Sequence, residues 1–238
     1  MTMIDPDKHH AIEMAFNKGW FSDLNLEEVT RLVDVSTIEH FGINQRIYKV
    51  GQLQEKVYCE IDGLIKISIA GKEHEKFPLT IWESGNWFGE GAFHESSIMP
   101  LEATAMSEAI VLAVPLSEIE STLDHDALFY KNILRDMVHR TQMLYKLVEM
   151  LLFDTLKARV SARILHLIQL FGQPVDDGIL LPMEFNQADF ARMSGGSRQR
   201  INKIFRNWAE EGTLTKRDKL YVLHKPAELQ AELSFTEF

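Results

Sequence analysis

Apolar positions recur with different spacings in successive parts of the chain, and each spacing predicts a different kind of element. Up to about residue 36, apolar residues such as Leu24, Leu32 and Val33 lie near helical spacing, which predicts short helices. From Ile38 to Val114 the segments are short, rich in β-branched and aromatic residues, and separated by glycines. Leu64–Ile69 alternates with period two, as a half-buried strand does. This region therefore predicts a sandwich, barrel or jelly roll.

A long helix is predicted from Asp126 to Leu152, because this segment contains neither glycine nor proline. Two largely apolar stripes run side by side along it, each with alternating steps of four and three residues. The first stripe consists of Ile133, Met137, Arg140, Leu144, Leu147 and Leu151. The second stripe consists of Leu134, Val138, Thr141, Tyr145, Val148 and Leu152.

The length of this helix bears on its role. About 27 residues at 1.5 Å each span about 40 Å, which is more than a small domain needs. One interpretation is a helix buried within its own domain. We favour the other, in which one stripe packs on the β domain and the other on a partner chain. The first stripe is predicted to form a parallel two-fold seam.

Residues 186–207 have the pattern of two helices joined by a tight turn. Asn186 and Asp189 have the spacing of a capping box, and Gly195 stands where a turn needs positive φ. Ser197 can cap the second helix, which has an apolar face made of Ile201, Ile204, Phe205 and Trp208. This arrangement is typical of a helix-turn-helix, whose second helix offers polar residues to the DNA major groove.

The outer face of the second helix supplies the predicted DNA contacts, which are Ser197, Arg198, Gln199, Asn202, Lys203 and Arg206. Residues 214–223 read as a β-hairpin with a basic tip, so that the motif becomes a winged helix-turn-helix. Two packed surface helices without a ligand are the alternative. We favour DNA binding because the turn glycine, the buried isoleucines and the basic outer face coincide.

Composition limits the class of protein. The chain has 238 residues, of which 45% are hydrophobic and 25% charged, as in an ordinary globular protein. Neither a membrane-spanning apolar run nor a secretory signal is visible, so no membrane partner is expected. Cys59 is the one cysteine, which excludes a disulfide within the chain and a multi-cysteine metal site. A reducing cytoplasm is the expected location.

The charge is unevenly distributed. The net charge is −10, which by itself argues against a nucleic-acid partner. However, residues 153–238 hold 12 basic and 11 acidic residues, a net charge of +1. Within Arg192–Lys219 there are eight basic and three acidic residues, a net charge of +5. A polyanion can therefore bind this segment, because the local field steers association.

Three features together resemble the catabolite activator protein (Crp/Fnr) superfamily of bacterial transcription regulators: Gly85–Glu90, the long helix, and Gly195–Gln199. The resemblance covers about Trp20 to Leu223. It implies an α+β fold, with a cyclic-nucleotide-binding-type β-roll in residues 1–125, a dimerisation helix and hinge in residues 126–153, and a winged helix-turn-helix in residues 154–238. It also implies a homodimer that binds a pseudo-palindromic double-stranded DNA site and contacts RNA polymerase.

The effector site departs from the family pattern. In cyclic-nucleotide-binding members of the family, a Gly-Glu pair and a later Arg-Ser or Arg-Thr hold the ribose and phosphate, and Gly89 and Glu90 match that pair. Leu144 and Tyr145 lie near the family's adenine-contacting positions. The phosphate-binding Arg has no counterpart in the stretch from Ser97 to Thr104, and no Lys or Arg occurs between Lys76 and Lys131. Because a buried phosphate without a cationic partner is costly, we interpret Glu90 as a structural carboxylate that accepts backbone hydrogen bonds at a tight turn.

No catalytic set or metal site emerges from the sequence. The β region lacks the His-x-His of a metal-dependent cupin enzyme, and no nucleophile–base pair is evident. We therefore predict a non-enzymatic, cytoplasmic DNA-binding regulator with no cofactor, and leave open an unidentified small-molecule effector. The alternatives are a cyclic-nucleotide-like module that acts through protein contacts without DNA, and a metal-dependent β-barrel enzyme.

Overall fold

The computed structural model describes residues 6–17, 19–71, 76–94, 96, 98–123 and 126–233. Ser97, the first residue of the stretch that replaces the phosphate clamp, lies outside these ranges. The chain divides into two compact units, residues 1–142 and residues 143–238.

The first unit contains the predicted β-roll. One antiparallel sheet has the order β1-β8-β3-β6, in which β1 is Thr37–Phe41, β8 Ala109–Pro115, β3 Lys56–Asp62 and β6 Trp87–Phe88. The other has the order β2-β7-β4-β5, in which β2 is Arg46–Tyr48, β7 Glu102–Ala105, β4 Ile65–Ala70 and β5 Lys76–Trp82. Strand β4 confirms the strand predicted from alternation.

Helices precede and follow the roll. They are α1 at Pro6–Asn17, α2 at Leu26–Val35, α3 at Leu116–Leu123 and α4 at Ala127–Phe153, with 3-10 turns at Gly19–Phe21 and Glu90–Phe93. Helix α4 is the predicted long helix, and it begins in the first unit and ends in the second. None of the helices in the described ranges is long and apolar enough to cross a membrane.

Strand β3 separates two cores. Its residues Val57, Cys59 and Ile61 face the helices and pack in one cluster with Leu32 and Phe129. Tyr58, which points to the other side of the strand, belongs to the cluster between the two sheets. This alternation follows from the two-residue period of a strand.

The second unit is the predicted winged helix-turn-helix. Its helices are α5 at Leu156–Phe171, α6 at Gln187–Ser194, α7 at Arg198–Glu210 and α8 at Pro226–Gln230. Its sheet has the order β11-β12-β10-β9, in which β11 is Leu214–Arg217, β12 Leu220–Leu223, β10 Gly178–Leu181 and β9 Gln173–Val175. The Thr155 hydroxyl caps α5 by accepting from the Ala158 N–H at 3.1 Å.

Candidate nucleic-acid interface

A reciprocal cap fixes the start of α6. The Asn186 side-chain oxygen accepts from the N–H groups of Ala188 and Asp189 at 2.9 and 3.1 Å. The Asp189 carboxylate accepts from the Asn186 N–H at 2.7 Å. The capping box that the spacing of Asn186 and Asp189 predicts is therefore confirmed.

Two glycines form the turn between α6 and α7 for different reasons. Gly195 has a φ of 60°, the left-handed conformation that the sequence predicts. Gly196 has little space, because a Cβ atom there would lie 2.5 Å from a methyl carbon of Leu156. The turn therefore needs glycine at one position for its backbone conformation and at the next for close packing.

Arg159 of α5 binds backbone carbonyl groups next to this turn, a role that the sequence pattern did not predict. Its Nε donates to the Ser194 carbonyl at 2.7 Å, and its Nη1 donates to the Asp154 carbonyl at 2.9 Å. The guanidinium thus satisfies a carbonyl at the end of α6 that the helix leaves unpaired. The available signal was a cation between Ala158 and Val160, both on the buried side of an amphipathic helix.

Helix α7 is anchored by its apolar face. The Ser197 hydroxyl accepts from the Arg200 N–H at 3.4 Å, as the predicted cap requires. Ile201, Phe205 and Trp208 are buried. The Phe205 ring lies 5.1 Å from that of Phe190 on α6 and 5.3 Å from that of Tyr221 on β12. These aromatic contacts fix the helix on both α6 and the wing.

The opposite face of α7 is exposed and basic. All six predicted DNA contacts lie on it and are exposed, namely Ser197, Arg198, Gln199, Asn202, Lys203 and Arg206. Arg198 and Lys203 form no ion pair with any described residue, whereas Arg206 lies 3.6 Å from the Glu210 carboxylate. The first turns of α7 therefore carry positive charge that no described acidic group neutralises.

Arg200 adds to this charge, although the sequence analysis did not include it. It is exposed and likewise lacks an ion pair with any described residue. It flanks the buried face that starts at Ile201. The helical period alone could have placed it at the edge of the basic surface.

The wing is also basic, but two of its three cations pair with acidic side chains. Arg217 donates to the Asp177 carboxylate at 2.6 Å, and the Lys219 ammonium lies 3.7 Å from Glu184. The Lys216 ammonium lies 5.3 Å from the centre of the Tyr221 ring. The unpaired positive charge is thus concentrated at the start of α7 rather than at the hairpin.

In the first unit, Glu90 pairs with a cation. Gly89 has a φ of 93° and precedes the 3-10 turn that starts at Glu90. The Glu90 carboxylate lies 3.1 Å from Nη1 of Arg140 on α4. Its partner among the described residues is therefore a guanidinium, and not the backbone N–H groups that the sequence analysis expected.

Arg140 connects several parts of the first unit. Its Nη2 lies 2.7 Å from the Asp136 carboxylate and donates to the Trp87 carbonyl at 2.5 Å. Its guanidinium carbon stands 4.8 Å from the centre of the Trp82 ring. Asp136 also accepts from the Trp20 indole N–H at 2.7 Å. The Arg140 guanidinium thus pairs with the Glu90 carboxylate, which in the family pattern binds a ligand.

The stretch that replaces the phosphate clamp provides no free cation. Met99 is buried, and so is the side chain of Glu102. Lys76 and Arg46 pair with the Glu102 carboxylate, and Arg46 Nη1 lies 3.8 Å from it. Both cations are therefore engaged by one buried carboxylate, and a phosphate here would have to compete with Glu102 for them.

The interior of the roll is filled by aromatic rings. The Tyr58 ring lies 6.0 Å from that of Tyr48 and 5.3 Å from that of Phe88. Burial, followed by the negative charge of Glu90, raises the pKa of the Tyr48 hydroxyl well above its usual value. The other two predicted effector residues, Leu144 and Tyr145, belong to the second unit and are 46% and 70% exposed.

Comparison with known families accounts for both units. A family model described as a cyclic nucleotide-binding domain matches residues 38–126. Another, described as a Crp-like helix-turn-helix domain, matches residues 158–232, and the two matches together span more than half of the chain. The chain belongs to the Crp/Fnr superfamily of transcription regulators. The predicted fold and family are thus confirmed, and this Crp/Fnr chain carries the helix-turn-helix DNA-binding domain of a non-enzymatic family.

Individual relatives of this Crp/Fnr regulator are distant. The global nitrogen regulator of Nostoc sp. is 22% identical over 83% of the chain and 89% of its own length. The CRP-like cAMP-activated global transcriptional regulator of Mycobacterium tuberculosis is 21% identical over 84% of the chain and 89% of its own length. The solved structure of the c-di-GMP responsive regulator CLP from Xanthomonas campestris has a TM-score of 0.73 and 19% identity, covering 84% of this chain and 99% of that one.

The first half of the predicted dimer stripe of this Crp/Fnr regulator makes contacts within its own unit, and its role in a dimer stays a prediction. Ile133 and Met137 pack against the core of the first unit, and Arg140 pairs with Glu90. All three side chains are half-buried in the single chain. Helical geometry turns the second stripe outward instead, where the exposed apolar residues are Leu134, Val138, Tyr145, Val148 and Leu152. Leu144 and Leu151 of the first stripe are also exposed, and Leu147 is half-buried.

Proposed function

We propose that this Crp/Fnr regulator is a homodimer that binds a pseudo-palindromic DNA site, with α7 of each protomer in a major groove. The observation that carries the proposal is the group of exposed cations at the start of α7 that have no acidic partner among the described residues. Neutralising phosphate charge releases counterions, so such a surface favours DNA. A surface that binds protein has no need for this basic density.

The dimer seam is proposed along the exposed stripe of α4. Leu134 and Leu152, near its two ends, are 64% and 69% exposed. Alternating steps of four and three residues bring such side chains onto one line, which is the pattern by which two parallel helices pack. A two-fold axis along this seam presents two copies of α7 to one DNA duplex, which is the arrangement that a pseudo-palindrome requires.

Three exposed residues of α7 are proposed to read bases. Arg198 can make a bidentate contact to guanine, and Gln199 can make one to adenine. In the family pattern the residue at position 199 is often Glu, which accepts from cytosine. Lys203 can contact guanine as a single donor, without the fork of an arginine. The half-site should therefore keep one guanine and differ from the family consensus at the base read by Gln199.

The test is selection of DNA sites from a random pool, followed by binding of the selected site to variants. Arg198→Ala should weaken binding by about 1–3 kcal/mol and relax the preference at one base pair. Arg206→Ala is the matched control, because it removes the same charge from a position expected to touch phosphate. It should weaken all sequences alike and lower the salt slope by roughly one unit. Unchanged base preferences in Arg198→Ala would overturn the assignment.

We further propose that cyclic AMP does not control this regulator through an Arg phosphate clamp. The arginine is absent from the sequence, and Glu102 engages the nearby cations Lys76 and Arg46. Calorimetry with millimolar cyclic AMP or cyclic GMP should show weak binding or none, and micromolar affinity would contradict the proposal. Contact with RNA polymerase is proposed from family membership alone.

A further inference from the structure

A cavity of about 590 Å³ lies in the first unit beside the start of α4. Its apolar wall consists of Phe93, Ile119, Phe129, Ile133 and Met137. These residues come from the 3-10 turn that follows Gly89, from α3 and from α4. The cavity has the volume of a small-molecule site, and apolar side chains from three elements form its wall.

The polar groups of the cavity are acidic or neutral. Glu90, Glu120 and Tyr130 line it, and none of its described lining residues is basic. Arg140 supplies one positive charge to Glu90, but it also pairs with Asp136. One guanidinium between two carboxylates leaves one negative charge, and the Glu120 carboxylate adds a second. The electrostatic environment of the cavity therefore favours a cation and disfavours an anion.

The aromatic residues support the same conclusion. The Phe129 ring lies 6.5 Å from that of Phe93 and 5.4 Å from that of Tyr130, in edge-to-face geometry in both cases. Phe129 is buried, whereas Tyr130 is 46% exposed. Aromatic ring faces attract a cation, so Tyr130 is the ring that favours one here. An apolar wall with aromatic rings and a carboxylate rim suits a molecule with an apolar body and one charged nitrogen.

We propose that this cavity binds a small organic ammonium ion with an aromatic or branched apolar body. The apolar wall of the site belongs to the helical side of the first unit, and the site shares Glu90 with the predicted effector pocket. Helix α4 lines the cavity with Ile133 and Met137, and it carries Leu134 and Val138 on its outward stripe. A ligand here is thus placed to affect the helix that we propose as the dimer seam, and this regulatory role rests on the proposed function.

The test uses the full chain with 13C-labelled methionine methyl groups and three probes of similar size. The probes are the phenethylammonium ion, neutral 2-phenylethanol and anionic phenylacetate. Met137 lines the cavity, so its methyl signal, assigned with Met137→Leu, should shift and saturate with phenethylammonium. Met193 of the second unit should not respond. We expect phenethylammonium to bind about tenfold more tightly than the alcohol, and phenylacetate not to bind.

Two variants that each remove one carboxylate test whether Glu120 contributes to binding of the ammonium ion. Glu120→Gln should weaken phenethylammonium binding about threefold to fivefold without changing binding of the alcohol. Glu118→Gln removes the same charge from the same helix at a position that does not line the cavity, and it should leave both affinities unchanged. Equal affinities for the three probes, preference for phenylacetate, or no Met137 shift at about 10 mM phenethylammonium would overturn the proposal. No measurement involves DNA, so such a failure leaves the proposed DNA binding intact.

Discussion

At the scale of single residues, the most unusual group is a buried carboxyl in the β-roll. Glu60 on β3 is fully buried, and neither of its carboxyl oxygens has a hydrogen-bond partner among the described residues. Its cross-strand neighbour Val111 belongs to the core between the two sheets, so Glu60 faces the same core. Burial first, and then the charges of Glu83 and Asp62, raise its pKa from 4.5 to about 9. Glu60 is therefore protonated at neutral pH.

This raised pKa predicts how stability depends on pH. Between pH 4.5 and about 9, the folded protein keeps a proton on Glu60 that the unfolded chain releases. The free energy of unfolding should therefore fall as pH rises through this window, by about 1.4 kcal/mol per pH unit from this group. At pH 7 the deficit reaches about 3 kcal/mol. Glu60→Gln should remove this slope in urea unfolding measured at pH 5, 7 and 8.5.

The control for this prediction is an exposed glutamate. Glu108→Gln, at an exposed position on the same unit, should leave the pH dependence as it is in the parent chain. A parent chain and a Glu60→Gln variant with parallel pH profiles would show that Glu60 is not a buried neutral acid.

Contacts between residues that are close together along the chain could be predicted from the sequence. The cap of Asn186 and Asp189 and the positive φ of Gly195 depend on neighbours within a few positions, which the sequence displays directly. The pair of Glu90 and Arg140 could not be predicted in the same way, because 50 residues separate its partners. The available signal was local: Arg140 interrupts an apolar stripe and follows Asp136 by four positions.

At the scale of elements, α4 shows that a sequence can predict a helix without predicting which of its faces is buried. The segment from Asp126 to Leu152, which lacks glycine and proline, predicts a helix that the structure has at Ala127–Phe153. Its two stripes have the same spacing and similar apolar content, so periodicity cannot choose between them. The packing of Ile133 and Met137 against the first unit makes the choice, and it depends on the shape of the β-roll. The orientation of the helix is thus a tertiary property.

The outward stripe of α4 gives a prediction about assembly. Val138→Glu combined with Val148→Glu places like charges in an apolar seam, so the chain should become a monomer in light scattering and lose most of its DNA affinity. Both side chains are about half exposed in the single chain, so the fold of each protomer should persist. His139→Glu is the control, because the adjacent residue lies 100° around a helix and is also exposed. A double variant that remains a dimer would place the interface elsewhere.

At the scale of the whole molecule, positive charge is concentrated in the segment that is predicted to bind DNA. The chain has a net charge of −10, yet Arg192–Lys219 holds eight basic and three acidic residues. A uniformly acidic protein would repel DNA at every orientation. Here the positive segment coincides with α7 and the wing, so the long-range field favours the approach of DNA to that segment. The sequence could predict this separation, because the basic residues are clustered in one segment of the chain.

In the proposed dimer, the distance between the two copies of α7 determines the spacing of the DNA half-sites. Two copies of α7 related by one axis reach successive major grooves when the half-site centres lie about 34 Å apart, or one helical turn. Inserting about 5 base pairs between the half-sites rotates one of them by half a turn, so that only one α7 can bind its groove. The modified site should therefore bind no better than a single half-site in a gel-shift titration at fixed salt.

The control for this prediction is a site with the central base pairs replaced but the spacing kept, which should retain most of the affinity. Equal binding to the inserted and parent sites would mean that each protomer reads DNA independently, and the two-fold arrangement would have to be abandoned.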